Sequence, residues 1–243
     1  MAYNCLLLDA DDTLLSFKDC EKQAFIKVFE KYNITATEEN VHLYHNINEG
    51  LWQDLEKGRI KKHLIGKIRF QKFCEAVGAD TKNAEKMNRD YMAALKEEAV
   101  LIDGAIEFLE DVEDYATIAI VTNGIEAVQM NRLKICGIAD FADGIYTSEK
   151  VGATKPNKQI FLAALKDLGV ENTGKVLVIG DRLQSDIKGG INAGLDTCWV
   201  NFDNQENTTN IKPTYTVQDY TQLKNRILEG LDDVIANKGK VQL

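Results

Sequence analysis

Three aspartates stand within four residues near the start of the chain, directly after an apolar run. The segment Leu6–Leu15 reads LLLDADDTLL and carries Asp9, Asp11 and Asp12. Carboxylates crowded in this way repel one another, so they persist together only with a bound cation or a shared proton. An Asp-rich turn, in which aspartates accept backbone hydrogen bonds, explains the same residues equally well. The loop alone leaves both alternatives open.

A second acidic pair follows another apolar run, in the segment Leu177–Asp186 (LVIGDRLQSD). Asp181 comes directly after the run, and Asp186 follows it; Ser185-Asp186 is also a typical helix start. Ligands bind beyond the carboxyl ends of parallel strands, so two acid clusters at strand ends can meet if their strands are neighbours. Oxygen ligands suit Mg²⁺, which takes few carboxylates and keeps several waters. The two clusters together therefore favour a Mg²⁺ site.

Two other segments offer groups that suit an anion. Thr122-Asn123-Gly124 follows the run TIAIV, and a hydroxyl with exposed N–H groups at that place suits an anion. Lys155-Pro156 precedes a helical pattern, where a lysine opposes the helix macrodipole unless an anion is bound. The alternatives are an ordinary strand-to-helix turn for the first segment and a surface lysine for the second.

The elements that must position these residues alternate along most of the chain. Short apolar runs, most of them rich in β-branched residues, predict buried strands. The predicted strands are Cys5–Leu8, Thr117–Thr122, Ile145–Thr147, Val176–Gly180 and Thr197–Val200. Helical spacing covers Gln159–Leu168 and a final helix at Thr221–Ala236, and Pro156 is typical of a helix start. This alternation predicts an α/β fold with a doubly wound, parallel, Rossmann-like sheet.

The position of the first strand follows from the chemistry. The strand before Asp9 must lie between the strands that end at Thr122 and at Gly180, because the three ends have to converge. Residues 16–94 contain helical patterns and no strand pattern. The helices predicted there include Asp19–Tyr32, His63–Val77 and Thr81–Leu95. We therefore expect an all-helical cap at residues 16–94, inserted into a core of residues 1–15 and 95–243.

Composition excludes several classes of function. The 243-residue chain has a formal net charge of −9 and no basic stripe, so binding of a nucleic-acid polymer is not expected. No apolar run approaches the ~20 residues that span a bilayer.

The five cysteines are widely spaced and none lies in a CxxC motif, which argues against disulfides and zinc. A strand pattern begins almost at the first residue and leaves no room for a signal peptide, so we expect a cytoplasmic protein. The sequence gives no indication of oligomeric state.

Four short motifs occur in a fixed order at the predicted strand ends. They are Asp9-x-Asp11-x-Thr13, Thr122, Lys155-Pro156, and Gly180-Asp181 followed by Asp186. Together they resemble the haloacid dehalogenase-like hydrolase superfamily, and the helical insert resembles its C1-type cap. The resemblance covers essentially the whole chain and implies a phosphoric monoester hydrolase with Mg²⁺ as its cofactor.

The resemblance implies roles for the acidic residues. Asp9 would be the nucleophile and would form an aspartyl-phosphate. Asp11 would protonate the leaving oxygen and then activate water. Asp9, Asp181 and the backbone carbonyl of Asp11 would hold Mg²⁺. Dehalogenases of the same layout lack the second aspartate, so Asp11 favours phosphate chemistry.

The remaining motif residues would bind the phosphoryl group or support the site. Thr122, the N–H of Asn123 and Lys155 would contact the phosphoryl group. Thr13 would brace the acidic loop, and Asp186 would support the metal site or orient Lys155. None of these groups distinguishes one leaving group from another, so selectivity would come from the cap.

The substrate class rests on a narrower resemblance. The string DADDTL and the cap fragments at Asn48–Trp52, Glu56–Ile60 and Arg69-Phe70 are similar to pyrimidine nucleotide 5′-nucleotidases that clear non-canonical nucleotides. This favours a small phosphorylated metabolite, namely a nucleoside 5′-monophosphate. Trp52 and Phe70 would stack on a base or else belong to the cap core. The alternatives are a sugar-phosphate or phosphoglycolate-type phosphatase, a phosphomutase, or a non-catalytic binding module.

Overall fold

The structure is a computed structural model and describes residues 3–229. Six strands form one sheet in the order β3-β2-β1-β4-β5-β6, and all neighbouring pairs are parallel. The strands are β1 Cys5–Leu8, β2 Thr117–Thr122, β3 Gly144–Thr147, β4 Val176–Gly180, β5 Asp196–Val200 and β6 Tyr215–Val217. The strand order runs outward from β1 in both directions, which is the doubly wound arrangement that the sequence predicts.

Helices connect the strands and form the insert between β1 and β2. Their bounds are α1 Phe17–Lys31, α2 Glu38–Glu56, α3 Lys62–Val77, α4 Ala84–Lys96, α5 Ala105–Val112, α6 Glu126–Ile135, α7 Ser148–Val151, α8 Gln159–Asp167, α9 Lys188–Ala193 and α10 Tyr220–Leu228. None of the helices in the described part of the chain combines the length and the apolar character that crossing a membrane requires.

The predicted strands are confirmed to within one residue at either end, and β1 lies between β2 and β4 as expected. Strand β6 was not predicted, because its three residues include a single buried side chain and show no apolar run. The final helix begins one residue before the predicted Thr221 and ends at Leu228. The rest of the predicted helix, residues 230–236, lies outside the described residues.

The first of two compact units contains the sheet and comprises residues 3–15, 101–124 and 137–229. All four residues of β1 are buried. On one face Leu7, Val121 and Val178 pack with Ile160 and Phe161 of α8. The register pairs Leu8 of β1 with Ile120 of β2 and with Ile179 of β4. Asp9, the first residue after β1, therefore lies beside the last residues of β2 and β4 at the carboxyl edge of the sheet.

The second compact unit comprises residues 16–100 and 125–136 and is helical. The predicted cap, residues 16–94, lies within this unit, which also includes residues 95–100 and 125–136 of the predicted core. Its core is a cluster of buried aromatic rings with centroids 3.6–6.5 Å apart. The rings belong to Phe25, Phe29, Tyr44, Phe70, Phe73 and Tyr91. Burial of these large side chains gives the unit a hydrophobic core of its own.

Candidate active site

The acidic loop begins where β1 ends. The backbone N–H of Asp9 donates to the carbonyl oxygen of Ile179 at 2.9 Å, so the pairing of β1 with β4 continues into the loop. The carbonyl oxygen of Ala10 accepts hydrogen bonds from the N–H groups of Leu14 and Leu15 at 2.9 and 3.0 Å. This closure holds Asp9, a residue that is 7 % exposed, at the carboxyl edge of the sheet.

The three aspartates of the loop have different environments. Asp12 has a φ of +52°, a left-handed conformation that aspartate tolerates better than most residues, and its N–H donates to the carbonyl oxygen of Leu15 at 2.7 Å. Asp12 therefore shapes the turn, whereas Asp9 is buried at the sheet edge. Asp11 lies between them and is partly exposed. The loop thus contains both a turn, at Asp12, and a buried carboxylate, at Asp9.

Lys155 is buried between two of the acids. Its ammonium nitrogen lies 2.7 Å from Oδ1 of Asp9 and 2.6 Å from Oδ1 of Asp186, and it donates to the carbonyl oxygen of Val121 at 2.8 Å. These three acceptors match the three donors of an ammonium group. Burial alone would lower the pKa of Lys155, but the charges of Asp186 and Asp9 raise it above its ordinary value. The surface-lysine alternative is wrong, because Lys155 is only 2 % exposed.

Asp181 forms a group of three carboxylates with Asp9 and Asp186, and one oxygen of each lies within 4.8 Å of the others. Among the described residues, no hydrogen-bond partner reaches the buried Oδ1 of Asp181.

Burial raises the pKa of Asp181 well above its ordinary value, and the charges of Asp186, Asp12 and Asp9 raise it further. Burial also raises the pKa of Asp9 to about 7, although Lys155 opposes the shift. A donor set of oxygens with one left unpaired fits a divalent cation such as Mg²⁺, which would offset this repulsion.

The turn after β4 returns Asp186 to the sheet edge. Residues Leu183–Ile187 form a π-helical turn, a feature that is frequent at functional sites. The N–H of Arg182 donates to Oδ2 of Asp186 at 3.0 Å, so the carboxylate folds back over the start of the turn instead of capping the helix that follows. A Cβ atom at Gly180 would lie 2.4 Å from Cγ of Asp186. Glycine at the end of β4 is therefore required for this position of Asp186.

The segment after β2 lies beside the lysine. The hydroxyl of Thr122, which is buried, accepts a hydrogen bond from the N–H of Gly124 at 3.0 Å. The side chain of Asn123 pairs with the main chain of Lys155, accepting from its N–H at 2.8 Å and donating to its carbonyl oxygen at 3.1 Å. The segment is thus a turn and is also joined to Lys155. The phosphoryl contacts expected of these residues remain predictions.

Sequence reasoning missed two aromatic residues that hold the loops. The hydroxyl of Tyr220 donates to the carbonyl oxygen of Thr13 at 2.6 Å, and the indole N–H of Trp199 donates to the carbonyl oxygen of Asp181 at 2.7 Å. Thr13 itself is fully buried, and the bracing role expected of it stays a prediction. The sequence carries no signal for either hydrogen bond, since the partners of Tyr220 and Trp199 are distant backbone carbonyls.

The helical unit contains the cap residues suggested for recognition. Phe70 is fully buried in the aromatic cluster, in accord with the cap-core alternative. Asn48 donates to Oε1 of Glu21 at 2.7 Å and accepts from Nη1 of Arg69 at 3.3 Å. Arg69 also donates to Oδ1 of Asn88 and is 3 % exposed. Hydrogen bonds thus link Glu21, Asn48 and Arg69 into a buried polar chain between the helices of this unit. Trp52, by contrast, is partly exposed.

Comparison with known proteins places the chain in a family. The sequence profile described as haloacid dehalogenase-like hydrolase matches residues 6–200. Pyrimidine 5′-nucleotidase YjjG of Escherichia coli K12 is 36 % identical over 224 residues, which cover 92 % of this chain and 97 % of YjjG. Pyrimidine 5′-nucleotidase PynA of Streptococcus pneumoniae R6 is 32 % identical over 98 % of this chain and 99 % of PynA.

A solved structure agrees with these similarities. The magnesium-bound HAD-hydrolase YfnB of Bacillus subtilis superposes with a TM-score of 0.88 at 34 % identity, over 93 % of this chain and 99 % of YfnB. The family resemblance drawn from the four motifs is thereby confirmed, as is the fold class. The chain belongs to the haloacid dehalogenase-like hydrolase family.

Proposed function

We propose that this chain is a Mg²⁺-dependent phosphatase that hydrolyses phosphate monoesters through an aspartyl-phosphate on Asp9. The observation that carries the proposal is the placement of the Asp9 carboxyl, 2.7 Å from the Lys155 ammonium and grouped with the carboxylates of Asp181 and Asp186. An anionic nucleophile approaches an anionic phosphate only where positive charge is close by. Lys155 supplies part of that charge from the chain itself.

The metal ligands in this proposal are Asp9, Asp181 and the backbone carbonyl of Asp11, with Asp186 as a supporting group. The unpaired Oδ1 of Asp181 supports the assignment, because a buried carboxylate oxygen without a partner is costly. When bound, Mg²⁺ would neutralise the carboxylates and polarise the oxygens of the phosphoryl group.

The first step transfers the phosphoryl group to the protein. A carboxylate oxygen of Asp9 attacks phosphorus, and the bond from phosphorus to the leaving oxygen breaks. Asp11 donates its proton to that oxygen, so the leaving group departs as a neutral alcohol. Asp11 suits this role because it is more exposed than Asp9 and lies two residues further along the same loop. General acid catalysis of this kind contributes about 10²–10⁴-fold.

The second step releases inorganic phosphate. Asp11, now a carboxylate, takes a proton from water while the water oxygen attacks phosphorus, and the bond between phosphorus and Asp9 breaks. Covalent catalysis divides one difficult displacement into two easier ones. One residue serves as acid and then as base, so the chain returns to its starting state after each turnover.

Binding of the phosphoryl group falls to Lys155, the hydroxyl of Thr122 and the N–H of Asn123. The carboxylate of Asp186 and the carbonyl oxygen of Val121 hold two donors of the lysine, which directs the third toward Asp9. A preorganised cation at this point stabilises the charge on the equatorial oxygens during transfer.

The preferred substrates in this proposal are nucleoside 5′-monophosphates, in particular pyrimidine or non-canonical ones. Support comes from YjjG and PynA, which are named pyrimidine 5′-nucleotidases and match more than nine-tenths of this chain. The residues at the sheet edge suit phosphate and metal only. We therefore assign recognition of the nucleoside to the helical unit, whose buried polar chain includes Asn48 and Arg69.

The test is phosphate release by the purified protein with Mg²⁺. The panel contains pyrimidine and purine 5′-monophosphates, their deoxy and modified forms, hexose phosphates and phosphoglycolate. The Asp9→Asn variant, prepared in parallel, reports any contaminating phosphatase. We expect activity that is broad and highest on pyrimidine 5′-monophosphates. Higher activity on hexose phosphates than on every nucleotide would overturn the nucleotidase assignment, and no release from any ester would overturn the phosphatase assignment.

A further inference from the structure

Strand β5 contributes a tryptophan to the carboxyl edge of the sheet. Trp199 pairs in register with Gly180, the last residue of β4, and is 6 % exposed. Its indole N–H reaches one residue beyond that pair and donates to the carbonyl oxygen of Asp181 at 2.7 Å. A side chain of β5 thus holds the backbone of Asp181, the first residue after β4.

The carboxylate of Asp181 is not held in the same way. Its Oδ1 is buried and, within residues 3–229, has no hydrogen-bond partner. The neighbouring Asp186, by contrast, bonds to the N–H of Arg182 and pairs with Lys155. Oδ1 of Asp181 thus receives no hydrogen bond that would fix it, whereas the bond from Trp199 constrains the backbone to which the carboxylate is attached.

We propose that Trp199 is a positioning residue that holds Asp181 for the bound cation, and that its indole reports when the cation binds. The inference rests on the proposed Mg²⁺ dependence. Groups that orient metal ligands from outside the coordination sphere contribute about 10–100-fold to metal affinity or activity. A single hydrogen bond to the backbone of one ligand places Trp199 near the lower end of that range.

A structural role for Trp199 makes a different prediction. A buried indole N–H needs an acceptor, and the carbonyl oxygen of Asp181 would satisfy that need even if the hydrogen bond had no effect on the metal site. In that case loss of the N–H lowers thermal stability and leaves Mg²⁺ affinity unchanged. Metal affinity of the substrate-free protein therefore separates the two roles, independently of activity.

The experiment uses the two tryptophans of the chain, Trp52 and Trp199. Trp199→Phe keeps an aromatic ring and removes the donor, whereas Trp52→Phe is the matched control in the helical unit. Mg²⁺ binding to both variants and to the unaltered protein is measured by calorimetry without substrate. We expect the dissociation constant to rise about tenfold in Trp199→Phe and to stay unchanged in Trp52→Phe. An equal constant in both variants, with the melting temperature lowered only in Trp199→Phe, would overturn the inference.

Fluorescence provides a second measurement that does not require Trp199→Phe to fold. In Trp52→Phe the tryptophan emission comes from Trp199 alone. We expect a saturable change on addition of Mg²⁺, with a midpoint equal to the calorimetric constant. Binding of Mg²⁺ without any change in emission would refute the inference while leaving the metal site in place. Failure of the unaltered protein to bind Mg²⁺ would instead refute the proposed function, on which the inference rests.

Discussion

The side-chain amide of Asn123 pairs with both main-chain polar groups of Lys155, accepting from its N–H at 2.8 Å and donating to its carbonyl oxygen at 3.1 Å. This pairing joins the loop after β2 to the segment before α8, which are far apart in sequence. The Lys155 ammonium bonds in turn to Asp9. The amide of Asn123 therefore helps to set the distance between the lysine and the proposed nucleophile.

Removal of this amide should impair catalysis more than folding. We expect Asn123→Ala to lower kcat/KM by about 10–100-fold, because a displacement of about 1 Å at a reacting centre can cost about 10²-fold. The matched control is Asn172→Ala, which removes a comparable bond to the N–H of Gly174 at the other end of the sheet. Steady-state kinetics and thermal melting of both variants check the prediction. A similar loss of activity in both variants would assign the effect of Asn123 to general destabilisation.

Metal dependence should be visible in both activity and stability. Chelation should abolish turnover, Mg²⁺ should restore it, and Ca²⁺ should support it poorly because its larger and more flexible shell misplaces Asp9. Asp181→Asn should weaken Mg²⁺ binding without destabilising the metal-free protein. Burial and neighbouring acids raise the pKa of Asp181, so the charged form is unfavourable when no cation is present.

Thermal melting with and without Mg²⁺ tests this pair of effects. The unaltered protein should show an increase in Tm with Mg²⁺, as expected for an ion that binds only the folded state. Asp181→Asn should keep or exceed the metal-free Tm and lose most of the increase. Full activity in a preparation stripped of metal would refute the Mg²⁺ assignment.

The buried polar chain of the helical unit predicts a variant with two effects. In Asn48→Ala, Glu21 loses a donor and Arg69 loses an acceptor, and both are 3 % exposed. Leaving buried polar groups without partners costs about 1–3 kcal/mol. We expect this loss of stability together with a change in nucleotide preference, whereas turnover of a small aryl phosphate changes less.

Two further variants help to interpret that result. Trp52→Ala should alter nucleotide preference without the same cost in stability, because Trp52 is partly exposed. Gln53→Ala, which removes an exposed bond to Glu49 on the same helix, should change neither property. Denaturant melts and the ratio of nucleotide to aryl phosphate turnover provide the measurements. An unchanged ratio in both Asn48→Ala and Trp52→Ala would remove these residues from recognition.

One ion pair of the helical unit predicts a dependence of stability on pH. His45 Nδ1 lies 2.6 Å from Oε2 of Glu21, and this hydrogen bond raises the pKa of His45 despite partial burial. A pKa that is higher in the folded state stabilises the fold fully below the unfolded value of about 6.5. That contribution is lost as the pH rises through the folded value. The effect is moderated by solvent, because the His45 side chain is 36 % exposed.

Melting curves from about pH 6 to about pH 9 check this prediction. The unaltered protein should lose stability with rising pH, and His45→Gln should lose less over the same interval. His42→Gln, on an exposed part of the same helix, serves as the control and should behave like the unaltered protein. Identical pH profiles for His45→Gln and the unaltered protein would contradict the assignment.

Much of the fold was predictable because strand ends and acids coincide in the sequence. The runs before Asp9 and Asp181 are apolar and short, so they indicate buried strands whose ends share one edge. The placement of β1 between β2 and β4 followed from the need to bring Asp9, Thr122 and Asp181 together. The sheet order confirms this placement.

Other features depend on long-range contacts that no local pattern records. The bond from Trp199 to Asp181 joins a side chain to a backbone carbonyl of another strand. The close approach of Asp186 to Gly180 involves the π-helical turn Leu183–Ile187, and no local sequence pattern predicts such a turn. Asn123 was expected to act through its N–H, and the role of its side chain became visible only with the position of Lys155.

The most direct test of the account is detection of the phosphoryl group on Asp9. In Asp11→Asn the general base of the second step is absent, so an aryl phosphate with a good leaving group should phosphorylate the protein faster than water removes the group. Acid quench followed by peptide mass spectrometry should find the phosphoryl group on the peptide that contains Asp9, and Asp9→Asn should carry none. Near-normal phosphate release by Asp9→Asn, with no phosphorylated peptide in any variant, would contradict the covalent mechanism and indicate direct attack by water.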